Sequence, residues 1–360
     1  MSAVPGTGPA APGPLSVELT GSGPRLSRAR PRRPDGAETV LVEPLVVGVC
    51  RSDLKEIAGR RPGPSQFGHE LVGVVARSST PRLPVGARVC LDPNVPVARG
   101  TGFARAMWVG GDAEALTRAL PLAPAGVVER RLVFAEPLAC AAHCLTMARR
   151  HRGGAGLRGA SVCVLGAGTA GVFIARLAEA GGARVLLANR DADRLAFLMA
   201  RRMLPAGGGV PLSELSAFPG TTGPVEGPAG GHDVVVIATS FVLPELLEQA
   251  LRLVRPGGLV MLYGGTAAGD RLPGLDCDLD RVRRGELVEA VSWRGRPVRV
   301  GGSYGTTPED FTVALRALSE FPDGLGVERL ITAEVPLREL PAVLRRLAAG
   351  RCFGKVLARP

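Results

Sequence analysis

At 360 residues, 46% of them apolar and only 4% aromatic, the chain is long enough for about two domains, with cores of Ala, Val and Leu rather than rings. No apolar run reaches the roughly 20 residues that span a bilayer, and residues 1–14 lack the basic start and apolar centre of a signal peptide, so a cytoplasmic protein with no membrane partner is expected. The net charge of +11 rests almost wholly on scattered arginines, and the one dense cluster (Arg28, Arg30, Arg32, Arg33) has no interleaved aromatics to stack bases, which argues against a nucleic-acid partner.

Residues 1–34, rich in Gly, Pro, Ser and Arg, are expected to be largely mobile, with a weak edge-strand pattern at 15–19. Short β-like runs follow at 39–49, broken by Glu43 and Pro44, then at 71–75 and 88–91. Pro and Gly turns separate them, so residues 15–130 read as an irregular, mostly β lobe. Helical spacing begins at Glu136, where Pro137 suits a first turn, and runs to Arg150. Beyond residue 160 the pattern alternates: strands at 161–165, 184–188, 233–238 and 259–263, helices at 171–180, 191–203 and 243–254. This alternation predicts an α/β fold with a doubly wound parallel sheet, six-stranded over residues 153–296, and a long loop at 205–231. The flanking residues 1–152 and 297–360 are expected to form one β-rich domain. The cysteines (Cys50, Cys90, Cys140, Cys144, Cys163, Cys277, Cys352) are odd in number and show no CxxC pair, so no disulfide framework is expected, and Cys163 reads as core.

Gly166-Ala167-Gly168-Thr169-Ala170-Gly171 is a GxGxxG set between an apolar strand and an amphipathic helix. In that context the first glycine permits the tight turn, the second lets backbone approach a pyrophosphate, and the third allows close helix–sheet packing at a helix N-terminus. The second strand closes on Asn189 and Arg190, with Arg194 one turn later, where an NAD enzyme would place an acid. A neutral amide removes repulsion against a 2′-phosphate and a guanidinium can grip it, so NADP is favoured over NAD, with Asp191 keeping NAD open.

Cys50, His69 and Glu136 are competent zinc ligands, and three protein ligands with one open position is the catalytic arrangement. Taken singly, each also reads as a buried thiol, a hydrogen-bonded core histidine and a carboxylate at a helix start.

The ordered set Gly48-Val49-Cys50-Arg51-Ser52-Asp53, Gly68-His69-Glu70, Gly86-Ala87-Arg88-Val89, Glu136-Pro137-Leu138-Ala139, the glycine motif, Arg255-Pro256-Gly257-Gly258, Gly302-Ser303-Tyr304-Gly305 and Gly354-Lys355-Val356 resembles the medium-chain dehydrogenase/reductase superfamily, in its zinc-dependent alcohol and polyol dehydrogenase branch. The resemblance covers nearly everything after about residue 35. It implies a GroES-like catalytic domain beside the Rossmann domain. It also implies one catalytic zinc on Cys50, His69 and Glu136, with Glu70 a neighbour able to coordinate and Asp53 holding the His69 ring. Ser52 would begin the proton relay. Lys55 stands where relatives of this branch commonly carry His, and Arg51 where they carry Gly, so the relay is altered. No Cys lies between Cys90 and Cys140, so the structural zinc of many relatives is not expected.

The expected activity is hydride exchange between NADP, or NAD, and a small polar secondary alcohol of polyol, sugar or aminocyclitol type, in a homodimer or homotetramer. A zinc-free reductase of an activated double bond and a non-catalytic dinucleotide-binding protein are the alternatives.

Overall fold

The structure, a computed structural model, describes residues 13–35, 38–61, 65–217, 231–321, 324–350 and 353–360. The chain divides into two compact units, one of Met1–Val133, Ala333–Cys352 and Val356–Pro360, the other of Phe134–Thr332 and Phe353–Lys355. These bounds differ from the expected 152/153 and 296/297.

The first unit begins with an antiparallel hairpin, β1 (Ser16–Thr20) and β2 (Gly23–Ser27), inside the stretch expected to be mobile. Residues 1–12 of that stretch lie outside the described residues. Next come β3 (Glu38–Gly48), α1 (Arg51–Ile57), β4 (Glu70–Ser78), β5 (Arg88–Cys90), β6 (Ala98–Arg99), β7 (Met107–Gly111), α2 (Ala113–Ala119) and α3 (Glu129–Leu132). The spine is β3, antiparallel to both β4 and β7. Its register against β4 shifts between Pro44 and Val46, because proline has no N–H to give the ladder and is accommodated by a bulge. Alternate apolar side chains such as Val40, Val42 and Val47 are fully buried against Leu71, Val75, Val89 and Val109.

The second unit opens with α4 (Ala135–His151), followed by β8 (Ser161–Leu165), α5 (Thr169–Ala180), β9 (Arg184–Asn189), α6 (Ala192–Ala200), β10 (Gly209–Pro211), β11 (His232–Ile237), α7 (Pro244–Leu253), β12 (Val254–Leu262), α8 (Leu279–Arg284), β13 (Val288–Trp293), β14 (Arg296–Gly302) and α9 (Pro308–Glu320). The chain then passes through β15 (Ile331–Pro336) and α10 (Leu340–Ala349), and ends in β16 (Lys355–Arg359), which pairs antiparallel with β3.

The sheet order is β10-β9-β8-β11-β12-β14-β13, with all neighbours parallel except the β13–β14 edge pair. Six strands are therefore parallel, and the sixth is β14 rather than a strand before residue 296. Strands such as β8 and β11 are apolar runs buried on both faces, as a sheet covered by helices on each side requires. The unit boundary moves for two reasons. Phe134, at the head of α4, packs edge-on against Phe173 of α5 at 5.7 Å, and β14 completes the parallel sheet. The expected loop at 205–231 contains β10 and a short 3-10 helix, Leu212–Ala217; residues 218–230 lie outside the described residues. Among the described residues no helix is long and apolar enough to cross a membrane. Burial pushes the thiols of Cys90, Cys144 and Cys163 up to about 12, so they behave as core. Cys352 lies outside the described residues.

Candidate active site

In the first unit β3 delivers the chain to Cys50, the N-cap residue of α1. The segment after Cys50 thus begins with two helical turns. Asp53 is fully buried, and its carboxylate accepts the Cys50 amide at 2.7 Å and the Gly68 amide at 2.9 Å. It thereby ties the start of α1 to the strand that carries His69. The second tie is steric. A Cβ on Gly102 would lie 1.9 Å from the Gly68 carbonyl oxygen, and Gly68 itself has φ +69. Only this glycine pair lets the loop before β7 press on the backbone ahead of His69.

His69 and Glu70 are buried at the start of β4. One donor atom each from Cys50, His69 and Glu70 lies within 4.8 Å of the other two, the one such triplet among the described residues. The Gln66 carbonyl accepts from His69 Nδ1 at 2.8 Å, which places a proton on that nitrogen and leaves Nε2 for a second proton or a metal. Asp53 Oδ1 is 3.6 Å from the same nitrogen, within ion-pair distance, so the Gln66 carbonyl joins Asp53 beside Nδ1. Sequence could not reveal this, because any residue can offer a backbone carbonyl. Ser52 Oγ stands 3.3 Å from Nε2, and Lys55 is three residues on, on the same face of α1. Burial disfavours a charged His69 ring, but Cys50 and Asp53 outweigh it and raise its pKa well above the ordinary value, so Nε2 holds a proton unless another cation takes its place. This concentration of negative charge suits a cation. A cysteine sulfur, an imidazole and a carboxylate, the last two buried, are a donor set that fits zinc.

Glu136, the third ligand implied by the resemblance, lies in the second unit, in the first turn of α4, where the Cys140 thiol donates to it at 3.3 Å. Within the first unit Glu70 joins Cys50 and His69.

The second unit holds the glycine turn where the sequence placed it. Gly168 is the N-cap of α5, and Thr169, Ala170 and Gly171 form its first turn. Gly166 has φ +116, and a Cβ on Gly171 would fall 1.8 Å from the Gly166 carbonyl oxygen, while one on Gly168 would meet nothing within 4 Å. The turn is thus closed on one side and open where a phosphate would approach. Asn189 holds it in place: Oδ1 accepts the Ala167 amide at 3.1 Å and Nδ2 donates to the Asp191 carbonyl at 3.0 Å. Arg190 is exposed, and Asp191 caps α6 through the amides of Asp193 and Arg194. The Arg194 guanidinium lies 4.8 Å over the Phe353 ring, a residue the sequence did not single out. Gly171→Ala should lower affinity for the dinucleotide by about 5- to 150-fold, because the methyl must displace the Gly166 carbonyl at about 1–3 kcal/mol. Titration of the variant with NADPH, followed by fluorescence, checks this.

Residues 36–133 match the alcohol dehydrogenase GroES-like domain. The L-galactonate-5-dehydrogenase of Escherichia coli K12 is 25% identical over 86% of this chain and 88% of its own. The sorbitol dehydrogenase of Halalkalibacterium halodurans is 22% identical over 94% of this chain and 97% of its own. A Sinorhizobium meliloti 1021 protein assigned as a zinc-binding dehydrogenase and solved with NADP shares the fold, with a TM-score of 0.73 and 23% identity, over 96% of this chain and 99% of that one. Residues 36–133 therefore carry the alcohol dehydrogenase GroES-like domain, and over nearly its whole length the chain is similar to alcohol and polyol dehydrogenases and shares their fold.

Proposed function

We propose that this chain exchanges a hydride between NADP(H) and a polar secondary alcohol or its ketone, with one zinc held by Cys50, His69 and Glu70. The observation that carries it is the triplet within 4.8 Å, half-buried at Cys50 and buried at His69 and Glu70, in which the Gln66 carbonyl fixes the His69 ring through Nδ1. Zinc bound there would supply a Lewis acid for the alcohol oxygen. The chain's own groups do the rest. Ser52 can accept the substrate hydroxyl proton as it hands its own on to solvent, and Lys55 on the same face offers a cation, in place of a shuttling imidazole, to stabilise the alkoxide left behind. The open face at Gly168 and the N-terminus of α5 receive the pyrophosphate. The sorbitol and galactonate dehydrogenases it resembles point to a polyol or sugar acid as substrate. A homodimer or homotetramer is expected, which light scattering would measure.

The test follows nicotinamide absorbance over a panel of polyols, sugar acids and simple secondary alcohols with each cofactor. Turnover should be sensitive to a zinc chelator and restored by zinc. Chelator-resistant reduction of an activated double bond would favour the zinc-free reading, and no turnover at all would favour a binding protein.

The NADP preference rests on Asn189, a neutral side chain, and the exposed Arg190. The double variant Asn189→Asp, Arg190→Ala should move the NADP-to-NAD ratio of kcat/KM toward NAD by roughly 1–3 kcal/mol, the worth of one charged contact. An unchanged ratio would mean the 2′-phosphate is not recognised there.

A further inference from the structure

Resting on the zinc reading above, we propose that Glu56 and Ser65 are positioning residues that set and polarise His69 through one peptide group. The contacts run in a line. Ser65 Oγ donates to Glu56 Oε2 at 2.7 Å and accepts the Phe67 amide at 3.3 Å. That amide belongs to the same peptide group as the Gln66 carbonyl, which accepts His69 Nδ1 at 2.8 Å. Glu56 Oε1 meanwhile accepts the Gln66 amide at 2.9 Å and Arg61 Nη1 at 3.1 Å. All of these residues lie in the first unit.

Glu56 lies three residues after Asp53 on α1, so the two acids share one face of the helix. Asp53 holds the Gly68 amide and Glu56 the Gln66 amide. The peptide groups on either side of the one that meets His69 are therefore both tied to α1. The Glu56 side chain is only 6% exposed, where a carboxylate is costly unless donors surround it, and Arg61, Ser65 and the Gln66 amide do so. A hydroxyl both donates and accepts, so Ser65 can pass the pull of the carboxylate onward. Bonds in such a chain polarise one another: the anion makes Ser65 Oγ a better acceptor, and the Phe67 amide on it makes the Gln66 carbonyl a better acceptor for His69. A histidine whose Nδ1 proton is held this way has a fixed ring and a more basic Nε2, the two properties a metal ligand needs.

Zinc affinity, read by competition with a chromophoric chelator, tests this without turnover. Ser65→Ala should weaken zinc roughly tenfold, the lower end of what an outer partner of a metal-ligating imidazole contributes. Ser65→Thr, which keeps the hydroxyl, should match the wild type. Glu56→Gln should weaken zinc at least as much as Ser65→Ala, and the double variant should lose no more than Glu56→Gln alone, since the two residues act as one unit. Melting of the metal-free protein controls for the fold, and Ser65→Ala, at an exposed position, should leave it unchanged. An unchanged zinc affinity in Ser65→Ala overturns the proposal and leaves the zinc reading standing. So do additive losses in the double variant, or a loss of affinity in Ser65→Ala that comes with a lower melting temperature of the metal-free protein. A wild type that binds no zinc overturns the zinc reading and this inference with it.

Discussion

Replacing Cys50 with Ala should remove the bound zinc and reduce kcat by on the order of 10³-fold or more, while NADPH affinity stays within about twofold. The first part follows from the donor set. Donor atoms of Cys50, His69 and Glu70, one from each, lie together, and removing the Cys50 sulfur leaves two ligands where a catalytic site needs three. Loss of a Lewis acid costs several kcal/mol of transition-state stabilisation, and each 1.4 kcal/mol is about tenfold in rate. The second part follows from the chain's construction. The glycine turn, the proposed dinucleotide site, is closed by Gly166, Gly171 and Asn189, all in the other compact unit, and none of them belongs to the Cys50–His69–Glu70 triplet. Changes that share no partner residue are expected to act independently. His69→Ala should have the same two effects. Metal analysis by mass spectrometry, single-turnover kinetics and a NADPH titration read all three quantities. Wild-type turnover in Cys50→Ala would remove the metal from the mechanism, and a parallel loss of NADPH binding would mean the variant unfolds.

Much of this was legible in the residues because the signals are local. The change from period-two runs to alternating strands and helices marks a parallel sheet whatever surrounds it. The glycine motif is read by its place between β8 and α5. Cys50 and His69 were legible through the motifs around them, and their convergence is carried by Asp53, whose carboxylate bridges the two segments. What escaped depends on long-range contacts. α1 is only seven residues long and precedes a Pro/Gly-rich stretch, so its pattern is too short to separate from a loop. The boundary after α3 is set by the packing of Phe134 on Phe173, and the place of β14 by pairing with β12, neither of which has a sequence period. Phe353 is distant in sequence from Arg194 and meets it only through the fold.

His143→Leu should lower the melting temperature by on the order of 10 °C near pH 6 and remove a pH dependence present in the wild type. His143, buried on α4, is held at both ring nitrogens: Nδ1 lies 2.7 Å from Asp310 of α9 and Nε2 2.5 Å from Glu286. Both nitrogens can donate only when the ring is an imidazolium. Asp310 also accepts the amide and hydroxyl of Thr307, and Glu286 accepts the Tyr304 amide, so one proton joins α4, α9 and the segment after β14. Burial disfavours the charged ring, but Asp310 and Glu286 outweigh it and raise its pKa above 6.5. Burial likewise opposes the Asp310 carboxylate, yet His143 and Thr307 hold its pKa below 3.8. The signs follow by linkage. The raised histidine contributes stability that is complete below its unfolded value of 6.5 and is lost as pH rises through its folded value. The depressed aspartate contributes stability that is present above its unfolded value of 3.8 and is lost as pH falls through its folded value. The clamp is therefore fully made between about pH 4 and 6.5 and weakens on the alkaline side first. Leucine leaves two carboxylates facing each other without their cation, which costs about 3–5 kcal/mol. Melting curves of both proteins from pH 5 to 9 decide the matter: the wild type should lose stability toward pH 9 and the variant should run lower and flatter, whereas two parallel curves would show that His143 carries no proton in the fold.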